Sequence, residues 1–281
     1  MMMSMACFAV EDTFIKLLSA RLPASQILFS LGFGGTLITL ALAILLNVNL
    51  ADKILLNKHV ILRTIADLFG SFSFTSAMVL IPMSLLASIL QATPLFVTLG
   101  AAILLGEKVG WRRWSAILIG FLGVIIILQP GYGSFQLASL LGLAAVLCLA
   151  FRDVVTRDMA TEIPTLTVTF YACLAMGSAG FIAYPFFGPL IMPTAFEAII
   201  LICAAIIGLT GYFLLVLATR KGDVSVIAPF RYSRLLFSLG LASLILGEKL
   251  SLPILLGGLL VVSSGIYTFG RERRLVKNQK I

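Results

Sequence analysis

The chain has 281 residues, 60% hydrophobic and only 11% charged, with a formal charge of +8 and a mean hydropathy of +1.11. A soluble domain carries about 25% charged residues and has no use for so many apolar runs of spanning length, so a water-soluble globule is excluded. The excess positive charge does not point to nucleic acid, because it lies in short loops and in the tail Arg271–Lys280, with no basic face interleaved with exposed aromatics.

In chain order, ten apolar runs are long enough to cross a ~30 Å hydrocarbon core: 2–19, 25–46, 60–80, 84–106, 112–130, 137–157, 165–187, 196–217, 225–246 and 251–269. Lipid offers the backbone no hydrogen-bond partners, so each run is expected to be a helix, giving an all-α membrane protein of ten transmembrane helices. The first run begins almost at Met1 and leads straight into Glu11-Asp12, which reads as a retained span, not a cleavable signal peptide. Cys7, Cys148, Cys173 and Cys203 lie far apart inside apolar runs and read as packing residues, with neither a metal site nor a disulfide framework expected. The single histidine, His59, sits among Lys58 and Arg63 and cannot form a metal site alone.

Loop charge sets the expected orientation. Lys53, Lys58, Arg63, Lys108, Arg112, Arg113, Arg157, Arg220, Lys221 and the tail cations fall on one side, while the other offers little beyond Arg21 and Lys249. The excess of Lys and Arg marks the cytoplasmic side, so both termini are expected there.

One ungapped shift of 153 − 12 = 141 residues relates Asp12 to Asp153. The same offset relates Lys16 to Arg157, Pro23 to Pro164, Phe29 to Phe170, Gly70 to Gly211, Phe72 to Phe213, and Gly106-Glu107-Lys108 to Gly247-Glu248-Lys249. Each half holds five spans, an odd number, so the halves must be inserted in opposite senses. Inverted repeats of this kind belong to secondary transporters, whose solute site lies near mid-membrane between the halves.

The Leu-Gly-Glu-Lys sequences that end the fourth and ninth spans (Leu105–Lys108, Leu246–Lys249) resemble the drug/metabolite transporter superfamily, and both halves are similar to EamA-type domains. The resemblance implies a first repeat over 1–130, a second over 137–270 and a basic cytoplasmic tail at 271–281. It implies a central cavity lined by the first, third, fourth, sixth, eighth and ninth spans and open alternately to the two sides, with no covalent chemistry and no cofactor. The stretch Phe8–Lys16, followed by Leu22-Pro23 and Gln26-Ile27, looks like the bacterial riboflavin importer branch, and shares part of its pattern with S-adenosylmethionine carriers and metabolite exporters.

The ninth run, Val226–Leu246, carries Pro229, Arg231, Tyr232 and Arg234. A guanidinium near a helix centre costs about 2.5–3.5 kcal/mol on insertion scales, so something must receive these charges. Two readings stand open: the arginines with Tyr232 bind a polar or anionic part of a solute, or they pair with intramembrane acids and pin helices together. Glu11, Asp12 and Asp67 are the expected counter-charges or coupling carboxylates. Gln91 and Thr93, just before Pro94, offer uncharged polar contacts, and Phe8 and Phe72 are aromatics for stacking on a flat heterocycle. Arg152 and Asp153 lie toward the cytoplasmic end of the sixth span, where Arg152 is expected to snorkel to the interface in a structural role. Glu107 and Glu248 read as helix-end or gating devices.

The expected function is a bacterial inner-membrane carrier of a small organic metabolite, riboflavin first, with export or exchange of amino acids, S-adenosylmethionine-type or other charged metabolites as the alternative. The expected partners are the solute, the bilayer and, compatibly, a second copy in a homodimer; no nucleic acid is expected. An intramembrane enzyme is disfavoured because neither HExxH nor GxSxG occurs.

Overall fold

The computed structural model describes residues 1–50, 58–104, 106, 110–129, 136–157, 164–186, 189–221 and 228–279. Among them all regular structure is helical. The helices are α1 (Met2–Leu18), α2 (Ala24–Leu45), α3 (Lys58–Leu80), α4 (Met83–Leu90), α5 (Thr93–Leu104) and α6 (Trp111–Leu128), then α7 (Ser139–Arg157), α8 (Thr165–Ala183), α9 (Ala195–Lys221), α10 (Ser233–Leu244) and α11 (Leu252–Gln279). Short 3-10 turns lie at Tyr184–Phe186 and Ala228–Tyr232.

Each expected apolar run is mostly helical where it is described. Five stretches are long and apolar enough to cross a membrane: Ala24–Leu45, Met83–Leu104, Ser139–Thr156, Thr165–Ala183 and Ala195–Leu215. Trp114–Leu128 and Leu252–Tyr267 are apolar but shorter. In α1 and α3 the apolar character is diluted by Glu11, Asp12 and Lys16, and by Lys58, Arg63 and Asp67.

The fourth run breaks between α4 and α5. Pro94 has no N–H to give to the Leu90 carbonyl, and the Thr93 hydroxyl donates to that carbonyl instead, at 2.7 Å. The Gln91 side-chain amide donates to the Ala87 carbonyl at 3.2 Å. The ninth run is also interrupted, entering α10 through the turn Ala228–Tyr232; residues 222–227 at its start lie outside the described part.

Helix pairing follows a simple rule. The most extensive partners are α2 with α8, α3 with α7, α6 with α11 and α1 with α9, with α4 against α10. Exchanging the halves of the chain turns the α1–α9 pair into α7–α3 and returns α2–α8 and α6–α11 to themselves. The α2–α8 crossing is close because both helices present glycine: a Cβ on Gly32 would strike the backbone of Gly177.

The related glycines of the two halves share a conformation. Gly106 and Gly247 have φ of +66° and +65°, in the left-handed region. Gly247 follows the end of α10, and the Glu248 N–H donates back to the Ala242 carbonyl at 3.0 Å. The Glu248 carboxylate then reaches the other half. It accepts from the Met83 N–H at 2.7 Å, the Ser84 N–H at 2.9 Å and the Ser84 hydroxyl at 2.6 Å, capping the N-terminus of α4. Beside it, Lys16 Nζ donates to the Met78 and Ile81 carbonyls at 2.8 and 2.7 Å, satisfying the C-terminal end of α3. The turn between α3 and α4 is thus held from both sides. Leu18, Leu22, Ile27, Met78, Ile81, Met83, Leu86 and Ile89 are completely buried around it, so this low-charge end of the bundle is packed shut. Glu107 lies outside the described residues.

Losing a carboxylate cap should be felt globally. Glu248→Ala should lower the thermal unfolding midpoint, by the equivalent of about 1–2 kcal/mol, whereas Lys249→Ala at the exposed neighbouring position should not. Scanning fluorimetry in detergent compares the two; equal midpoints would remove the cap from the list of stabilising contacts.

Candidate functional site

Towards the basic end, beyond the packed layer, the helices enclose a cavity of about 230 Å³. Its walls come from α1, α3, the α4–α5 break, α7, α9, the 3-10 turn and α10, with Met176 added from α8. On α3 the lining residues Asp67, Gly70, Ser71, Phe74 and Thr75 follow i, i+3, i+4, i+7, i+8, one face of a helix. The interruption of the fourth run places Gln91, Thr93 and Pro94 at this wall.

Six charged side chains line this space: Glu11, Asp12, Asp67, Arg152, Arg231 and Arg234. Arg234 grips Asp12 through both carboxylate oxygens, with Nη2 at 2.9 and 2.8 Å and Nε at 3.2 Å. The guanidinium also lies over Phe8 and Phe74, 5.2 and 5.9 Å from their ring centres. A second chain of charge crosses the cavity floor. Arg231 meets Asp153 at 3.2 Å, Asp153 meets Arg152 at 2.8 Å, Arg152 meets Asp67 at 3.1 Å, and Asp67 meets Arg63 at 3.2 Å. Arg63 is further fixed by donating to Thr156 Oγ1 at 3.1 Å and to the Tyr212 hydroxyl.

Glu11 is different. Its carboxylate makes no hydrogen bond or ion pair with any described residue, and it lies against α9 where Gly208 leaves room; a Cβ there would strike it. The network holds four guanidiniums (Arg63, Arg152, Arg231, Arg234) and three paired carboxylates (Asp12, Asp67, Asp153), leaving 4 − 3 = 1 positive charge in excess. Glu11 is the acid that would balance it.

Among the residues expected at the site, Arg231, Arg234, Gln91, Thr93, Phe8, Glu11, Asp12 and Asp67 all line the cavity. Tyr232 and Phe72 do not. Tyr232 turns from the arginine face towards α11, where it is buried with its hydroxyl against Gly265, a contact that leaves no room for a Cβ. Phe72 sits about 100° around α3 from the lining face, by its place between Ser71 and Ser73. The pairing also differs from the expectation in two respects: Arg231 pairs with Asp153, and Arg152 is part of the cavity wall, not an interfacial residue. The repeat offset was the signal for this, since it sets Glu11-Asp12 against Arg152-Asp153. Ser71 and Met176 carried no such signal and were missed.

The EamA-like transporter family matches this chain twice, over residues 1–129 and 136–269. The chain belongs to that family. Among curated EamA-like relatives, the S-adenosylmethionine uptake transporter of Rickettsia prowazekii (strain Madrid E) is 23% identical over 279 residues, covering 99% of this chain and 94% of the relative. The riboflavin transporter of Rhizobium johnstonii is 26% identical over 214 residues, covering 75% of this chain and 70% of the relative. A solved crystal structure superposes with a TM-score of 0.63 at 22% identity, covering 97% of this chain and 98% of that one, which shows a shared fold.

The Asp12–Arg234 pair should behave as a unit. Removing one partner strands a buried charge, so Asp12→Asn or Arg234→Gln alone should destabilise by about 3 kcal/mol. The double variant should recover part of that loss in thermal unfolding. A double variant as unstable as the sum of the singles would mean that the two side chains are energetically independent.

Proposed function

We propose that this EamA-like protein is a multi-pass carrier of the bacterial inner membrane that moves a zwitterionic organic metabolite by alternating access. Uptake of S-adenosylmethionine is the specific activity favoured. The observation that carries the reading is the unpartnered Glu11 carboxylate in a cavity whose other acids are already paired. A solute with a cationic centre satisfies Glu11. Its carboxylate finds donors on Arg231, which uses one nitrogen on Asp153 and keeps the rest of its guanidinium fork available. S-adenosylmethionine offers a carboxylate, an ammonium and a sulfonium. The near full-length likeness to a transporter named for that solute supports the choice.

Ten helices in two inverted five-helix halves, with both termini cytoplasmic, are the topology that goes with this reading. The 141-residue offset, the exchange-invariant helix pairing and the matched left-handed glycines support it. The packed low-charge end and the cavity towards the basic end then correspond to a carrier closed outwards. Transport involves no covalent step; the charged wall binds and orients the solute.

Riboflavin is the second reading, favoured by the Phe8 and Phe74 rings at the cavity wall and by the Rhizobium relative. The two solutes part at the charged residues. In vesicles reconstituted with the purified protein, labelled S-adenosylmethionine should accumulate inside, and Glu11→Gln should reduce its uptake about tenfold to a hundredfold, the worth of one charge-assisted hydrogen bond. Arg231→Gln should abolish S-adenosylmethionine uptake yet spare a flavin held mainly by stacking. Riboflavin uptake without S-adenosylmethionine uptake would reverse the assignment.

A further inference from the structure

Beside the charged cavity lies a second chamber of about 170 Å³ that the transport reading does not use. The two spaces share Phe8, Glu11, Asp67, Ser71, Arg152, Met176 and Tyr212, so Glu11 stands in the partition between them. Beyond that partition the character changes. The walls from α2, α8 and α9 are uncharged, with Leu31 and Leu209 beside the small Gly35, Ala172, Cys173, Ala205 and Gly208. The Thr169 hydroxyl is committed to the Thr165 carbonyl at 2.9 Å.

Small residues keep this space open. A Cβ at Gly35 would come within 2.8 Å of Cys173 Sγ, and one at Gly208 would strike the Glu11 carboxylate. A chamber without free charge that opens directly off a carboxylate can stabilise only an uncharged group attached close to a cation.

We propose that the side chamber is a specificity subsite, taking an uncharged substituent carried on the cationic centre of the solute. It rests on the reading of Glu11 as the cation contact and adds an order along the solute: carboxylate towards Arg231 and Arg234, cationic centre at Glu11, uncharged substituent between α2, α8 and α9. Ala172 and Gly208 then set how large that substituent can be, and Cys173 reports on whether the chamber is filled.

The test uses the full-length protein in vesicles, with S-adenosylmethionine and S-methylmethionine as probes. These share the amino-acid head and sulfonium and differ in the third sulfonium substituent, a nucleoside or a methyl. Ala172→Leu should raise the half-saturating concentration of S-adenosylmethionine about tenfold or more, the scale of added bulk in a fitted pocket, and leave S-methylmethionine unchanged. Equal effects on both probes, or none on either, would overturn the subsite.

A thiol measurement stands apart from the choice of solute. With Cys7, Cys148 and Cys203 replaced by alanine, Cys173 should react with N-ethylmaleimide, and Ala172→Leu should slow the reaction. A Cys173 that does not react would refute an accessible chamber. Absence of uptake of both probes by the unaltered protein, with Cys173 reactive and slowed by Ala172→Leu, would instead remove the proposed solute class and keep the chamber.

Discussion

The structure depends on the rule that a guanidinium held among apolar helices must have a partner. Four guanidiniums enter the interior of this bundle, and each meets a carboxylate from another helix or another turn of its own. The Asp12–Arg234 pair joins α1 to α10, and the chain from Arg231 to Arg63 joins the ninth run to α7 and α3. These contacts tie the first half of the chain to the second at the cavity wall. Apolar packing cannot select one arrangement so sharply, because lipid tails compete equally for apolar surface.

The same constraint explains why the interior stays hollow. Ion pairs have direction, and the side chains that form them project from helix faces that cannot also interdigitate. At the low-charge end, where Lys16 and Glu248 cap helix termini, Leu18, Ile27, Met83 and Ile89 are completely buried. Where the ion pairs form, a cavity remains, and the helix breaks at Gln91-Ala92 and at Ala228–Tyr232 border it. An interrupted helix in lipid would leave carbonyls stranded. Here Thr93 and Gln91 take them up locally, which is why the break can sit beside a polar cavity.

Much of this was legible in the sequence. The apolar runs marked the helices to within a few residues, and Pro94 marked the α4–α5 break. Position along a helix could also be read: Arg231 and Arg234 share a face, and both line the cavity. What escaped was partner choice. Asp67 suits Arg231 as well as Arg152 by composition, and only the packing of α3 on α7 decides between them. Tyr232 escaped for a related reason, since the 3-10 turn rotates it away from its arginine neighbours and towards Gly265. Arg152 near the end of its run looked free to reach water, and tertiary contacts with Asp67 and Asp153 hold it inward.

The closure at the low-charge end has a further physical meaning. Its pins are five hydrogen bonds, three to Glu248 and two from Lys16, surrounding an apolar plug. Helix termini and their caps can exchange such bonds for water at a net difference of only about 0.5–1.5 kcal/mol each, or roughly twice that where a charge is involved. A seal of this kind is firm while dry and inexpensive to dissolve once wetted. Water that reached the space between α4 and the end of α10 would compete for these bonds.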